Sequence, residues 1–133
     1  MMAIKIRKTI IPVTFEVEGD ENLDFEFNAA DISMKQLRKK KVVFEKRAKE
    51  LQAEALALED DDDVKADKLE DEIKELVKEA FDSMLGDEAF DKIYAHSPSI
   101  FYLIDYYVQL NEHLDQEINR QTKDAKAKKY LIK

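Results

Sequence analysis

The opening stretch of the chain alternates apolar and polar positions in twos. Ile4, Ile6, Ile10, Val13, Phe15 and Val17, then Leu23, Phe25 and Phe27, are β-branched, aliphatic or aromatic residues set among polar ones, the pattern of strands with one buried face. Gly19 to Asn22 supplies a turn. Val13–Glu18 and Leu23–Asn28 are therefore expected to form an antiparallel hairpin, with Val13, Phe15 and Val17 on one face together with Leu23, Phe25 and Phe27. Residues 4–11 add a third strand or an arm. Pro12 has no backbone N–H, so it predicts a break or an edge between these pieces. Such an edge could pair with another chain.

From Asp31 the spacing becomes helical, with Asp31 or Ser33 as the expected N-cap. Met34, Leu37, Lys41, Phe44, Ala48, Leu51, Ala55 and Leu58 recur every three or four residues, a seam interrupted only at Lys41. The first half of this helix is basic and its end acidic, an order opposed by the helix dipole, so packing must hold it. A second helix is marked by Leu69, Ile73, Leu76, Val77, Ala80, Phe81, Met84 and Leu85, a stripe wide enough to face a core, and Gly86 fits its C-terminal cap. Asp87 then caps a short helix, Glu88 to Tyr94, with Ala89, Phe90 and Ile93 inward. Ser97-Pro98 is a good start for a fourth helix running to about Gln121.

The fourth helix carries apolar residues on three sides. Ile100, Ile104, Tyr107, Asn111, Leu114 and Ile118 make the main stripe, which on the helical wheel also takes in Leu103 and Leu110, with Phe101 and Val108 a ridge on one flank and Tyr102 with Tyr106 a ridge on the other. Such a helix is either central to its own fold or covered by a partner. Phe101, Tyr102, Tyr106 and Val108 are the candidate partner-binding residues. Residues 120–133 are basic and lose the stripe, which predicts a solvated tail. The expected architecture is α+β, mainly α: one domain over 1–119, made of a hairpin with an N-terminal arm (1–28) and about four helices (31–119), then the tail.

Composition narrows the chemistry. With 133 residues, the chain can bury one sizeable core. Two glycines and no cysteine leave little for phosphate-cradling loops and nothing for disulfides, thiolate catalysis or Cys-ligated metals. The formal charge of -8 disfavours a nucleic-acid binder, although Lys35 to Lys49 forms a basic stretch that the acidic stretch Glu50 to Glu75 can neutralise across a helical pair. The acidic run Glu59 to Asp63 lacks the glycine of a calcium loop in any frame. His96 precedes a helix cap, and His113 with Glu117 shares a face without a third ligand. Ser83, Ser97 and Ser99 read as helix-end residues. No catalytic, cofactor or metal site is expected, and the protein is read as a non-enzyme. The start, MMAIKIRK, lacks the apolar core of a secretory signal, and no apolar run reaches the roughly 20 residues of a membrane span. An intracellular protein without a membrane partner is expected.

Residues 83–118, SMLGDEAFDKIYAHSPSIFYLIDYYVQLNEHLDQEI, resemble the tail assembly chaperones of long-tailed siphophages and prophages of Gram-positive bacteria. The resemblance lies in Leu85, Gly86, Asp87, Ala89 and Phe90, then Lys92, Ile93 and Tyr94, followed by a capped aliphatic and aromatic helix. An Ile-, Val- and Phe-rich hairpin before a charged helix is also similar. The resemblance implies a protein that binds the tape measure protein, keeps it soluble until tail tube protein polymerises around it, and then leaves. It implies work in the host cytoplasm, absence from the mature virion, and a longer frameshifted product engaging the tube protein. Self-association is a further expectation, through the edge near Pro12 or the seam of the first helix. The residues alone leave two other readings: a coiled-coil adaptor forming stable oligomers through residues 34–58, and a small regulatory nucleic-acid binder using Lys35 to Lys49.

Overall fold

A computed structural model describes residues 2–59 and 62–131, with side chains described through Gln121 apart from those of Met1, Asp60 and Asp61. The order is β1 (Ile10–Phe15), β2 (Leu23–Asn28), α1 (Asp31–Leu56), α2 (Asp63–Leu85), α3 (Ala89–His96) and α4 (Ile100–Leu131). This is the expected α+β, mainly helical architecture. Residues 2–8 precede β1 as an arm outside any helix or strand.

The hairpin is built from an earlier segment than the alternation suggests. β1 begins at Ile10 and ends at Phe15, so Val17 and Glu18 belong to the connection. Val13 stands opposite Phe25 and Phe15 opposite Leu23, while Ile11, not Val17, completes the apolar face across from Phe27. Pro12 lies inside β1, opposite Glu26, and does not break it. The reason is the phase of the ladder. The Ala29 N–H donates to the Thr9 carbonyl at 2.7 Å, and antiparallel pairs alternate between bonded and non-bonded residues. Thr9, Ile11, Val13 and Phe15 therefore direct their backbone groups at β2, and Ile10, Pro12 and Thr14 direct theirs outward. Pro12 occupies a position where no N–H is needed.

α1 departs from its expected seam in two ways. Its N-cap is Ala30, which makes no side-chain capping bond, so neither Asp31 nor Ser33 serves. Instead, Asn28 Oδ1 accepts from the Ala30 N–H at 3.0 Å, tying the end of β2 to the helix start. The helix stops at Leu56, short of Leu58, and Ala55 is exposed. Met34 and Leu37 pack against the main core, and Leu51 is buried nearer the α1–α2 connection. Arg47 bridges to Glu72 of α2 at 3.1 Å and to Glu50 at 3.1 Å, an instance of the basic and acidic stretches meeting across a helical pair. Asp60 and Asp61 of the acidic run lie outside the described residues.

The main core joins Ile11 and Phe27 of the hairpin to Val77, Phe81, Met84 and Leu85 of α2, the inward residues of α3, and Leu103, Leu110 and Leu114 of α4. Every large side chain of the α2 stripe is buried or half-buried. α2 ends at Gly86, whose φ of 102° and ψ of 167° suit a residue without Cβ. Glu88, at φ 69°, occupies the N-cap position of α3 without a side-chain cap, and Asp87 does not cap that helix. Asp82 does so from α2: its Oδ1 accepts the Phe90 N–H at 3.0 Å.

α4 starts later and runs further than its stripe predicts. Ser99, not Ser97, precedes it, with the Ser99 carbonyl accepting from the Leu103 N–H at 3.1 Å. Its backbone stays helical to Leu131. The expected tail from residue 120 is thus mostly a helical extension, whose final residues, Ile132 and Lys133, lie outside the described ones. A run rich in Lys and Ala has good helix propensity even where the sequence carries no apolar stripe. Stripe loss alone does not end a helix.

Candidate partner-binding surface

The two faces of α4 have opposite fates. Leu103 is wholly buried and Leu110 and Leu114 nearly so. One flank stays open: Phe101 is 81% exposed and Val108 48%. Ile104, assigned to the core stripe by spacing, is also exposed and lies between them. Phe101, Ile104 and Val108 fall three and four residues apart, so they line one face as an uncovered apolar ridge. On the helical wheel Ile104 lies at the edge of the stripe, where spacing alone does not decide whether a residue meets the core.

On the other flank, Tyr102 and Tyr106 stack with ring centroids 6.5 Å apart and planes 21° from parallel. Tyr102 is exposed, whereas Tyr106 is half-buried against the core and shares a 3.2 Å hydrogen bond with the Ser97 hydroxyl. Of the four candidate residues, Phe101, Tyr102 and Val108 are therefore open to a partner. Tyr106 anchors the start of α4. The structure brings them together as two flanks of one helix, separated by the buried face.

Tyr107 lies between the ridge and the core, 5.2 Å from the ring of Phe44 and 5.7 Å from that of Phe81. Burial pushes its hydroxyl above the ordinary tyrosine range, with the Asn111 side chain acting in the opposite sense and Glu45 adding to the rise. The ring joins α1 to α4 beside the apolar ridge. A notch of about 340 Å³ opens there, between Val43 and Phe44 of α1 and Leu76 and Ala80 of α2, lined also by Lys39 and Lys40.

A second concavity, missed by the sequence reading, lies between β1 and α4. It has a volume of about 1030 Å³ and is lined by the whole of β1 after Ile10 together with Ile93, Tyr106, Leu110 and Leu114. His96, His113 and Glu117 also reach it. His96 Nδ1 stands 3.7 Å from Asp20 Oδ2 in the hairpin connection, linking the turn to the end of α3. The Glu117 carboxyl is held below the usual range, chiefly by its hydrogen bond from Arg120.

Among the described residues, no group of three His, Cys, Asp or Glu side chains is placed to hold a metal ion. No described helix is long and apolar enough to cross a membrane. Buried polar side-chain atoms left without partners are likewise absent among the described residues. The molecule is thus a small mainly helical α+β protein presenting apolar surface on its longest helix. The chain belongs to DUF6673, a family of unknown function whose model matches residues 19–132. No curated protein and no solved structure matches it significantly.

Proposed function

We propose that this protein is a non-enzymatic tail assembly chaperone of a siphophage or prophage, binding the tape measure protein in the host cytoplasm and leaving before the virion matures. The observation that carries the reading is the uncovered ridge Phe101–Ile104–Val108 on a strongly acidic body. A holdase needs apolar surface that takes up apolar helices reversibly, and net charge that keeps the loaded complex dispersed. The residues of the resemblance, Leu85 to Tyr94, form the α2–α3 corner that supports the start of α4. Recruitment of tail tube protein belongs to the same proposal.

The adaptor reading is weaker on these grounds. Met34 and Leu37 of the α1 seam are engaged with the chain's own core, and Leu51 is buried. The nucleic-acid reading depends on Lys35 to Lys49, where Arg47 is already paired with acidic side chains. Co-expression with the tape measure protein tests the proposal: the wild-type chain should hold it in the soluble fraction, and Phe101→Asp should reduce that fraction while leaving the circular dichroism spectrum unchanged. Precipitation of the tape measure protein at the same level with and without this chain would overturn the proposal.

A further inference from the structure

Among the described residues the sheet has two strands, so the β1 edge away from β2 has no strand partner there. The ladder phase set by the Thr9–Ala29 bond turns the N–H and C=O groups of Ile10 and Thr14 toward that edge, and of Pro12, which has no N–H, the carbonyl alone. The large groove follows it: consecutive residues from Ile11 to Glu18 line one side, and Leu110 and Leu114 of α4 the other. Val13 and Phe15 are only half-buried because the space between strand and helix is open. An extended segment laid there would bond to the β1 edge and press alternate side chains onto α4.

The chain itself carries a segment of that form. Residues 2–8 read MAIKIRK, with Ile4 and Ile6 at 89% and 90% exposure and Lys5 and Arg7 interleaved. Seven extended residues span about 23 Å, close to the length of β1. The pleat matches the charges. Ile4 and Ile6 share a parity, so both fall on the face directed at α4 when Lys5 and Arg7 fall on the outer face. That outer face bears Asp24 and Glu26, opposite Thr14 and Pro12, and Glu16 follows at the end of β1. Folding back onto its own β1 would need a tight reversal near Lys8, where the sequence offers no Gly, Asn, Asp or Pro.

We infer that residues 2–8 of one copy add as a third strand to the β1 edge of a second copy, filling the groove between that strand and α4. The occupant is thus another molecule of this same chain, recognised by main-chain bonding, by Ile4 and Ile6 against the α4 groove, and by Lys5 and Arg7 beside the acidic sheet face. This contact uses a different surface from the Phe101 ridge and stands whether or not the protein is a tail chaperone.

The chain has no cysteine, so introduced thiols report the contact directly. Equal amounts of an Ala3→Cys chain and a Thr14→Cys chain, both otherwise complete, are mixed and oxidised. Mixed disulfide dimers should form in clear excess over those from Ala3→Cys paired with Glu70→Cys on the exposed face of α2. Light scattering of the unmodified chain should show mass rising with concentration. The double variant Ile4→Asp with Ile6→Asp should remain monomeric with an unchanged circular dichroism spectrum, since neither side chain is buried. Three results would overturn the inference: monomer mass at every concentration, association untouched by the double variant, or an intramolecular disulfide within a single Ala3→Cys, Thr14→Cys chain that forms in preference to the mixed one.

Discussion

The Asp82 carboxylate in α2 accepts the Phe90 backbone N–H of α3 at 3.0 Å. A side chain eight residues upstream thus supplies the bond that an N-cap residue would otherwise provide, across the corner formed at Gly86. The geometry explains why Glu88 can stand at the N-cap position in a left-handed conformation without capping.

Removing that acceptor leaves the start of α3 with an orphan donor. Asp82→Ala is expected to lower stability by about 1 kcal/mol, within the range of lost N-caps, and Asp82→Asn by less because an oxygen remains. The shift in urea midpoint measures the loss. Faster hydrogen exchange at Phe90 would localise it to this helix.

Gly86 makes a second test of the same corner. Beyond its two chain neighbours, nothing lies within 4 Å of where its Cβ would stand, so the obstacle to a side chain is the local backbone conformation. Gly86→Ala is expected to cost about 1–3 kcal/mol. Thermal unfolding that matches the wild type would show that the corner relaxes freely to another conformation.

The two faces of α4 predict opposite outcomes for neighbouring substitutions. Leu103→Ala empties a fully buried position and should destabilise by about 2–5 kcal/mol. Phe101→Asp, at an open position, should change stability by about 0.5 kcal/mol or less. Denaturant titration of both variants checks the contrast, and a large loss for Phe101→Asp would mean that the ridge is core.

Two groups give signed pH dependences. Glu117 titrates below the usual carboxyl range because of Arg120, so the stability it adds is present above the unfolded carboxyl pKa and is lost as pH falls through the lower folded value. Arg120→Ala should move the Glu117 carboxyl resonance midpoint upward in an NMR titration. Tyr107 titrates above the ordinary tyrosine value of 10.0. Its favourable contribution is complete below that value and is lost as pH rises through the folded one. Absorbance titration at 295 nm should show the last tyrosine ionising late, and Tyr107→Phe should remove that component.

What the sequence determined by itself was the periodicity of its elements. Leu69 to Leu85 at helical spacing, Leu23 to Phe27 in alternation and the glycine after Leu85 carry their structures locally, because backbone conformation and a one-sided apolar stripe are properties of adjacent residues. The fourth helix was legible for the same reason, and so was the division of its apolar residues into a main stripe with two flanks. Tertiary structure decided what covers each face. Ile104 and Leu103 are adjacent and equally apolar, yet only Leu103 meets the core. Val17 continues the alternation of β1, but the hairpin register recruits Ile11 instead, since pairing must satisfy Pro12 and the ladder together. Asp82 replaced Asp87 as the cap of α3 because the corner brings α2 within hydrogen-bonding distance. Such outcomes depend on groups that meet only after the elements pack, and no local spacing encodes that meeting.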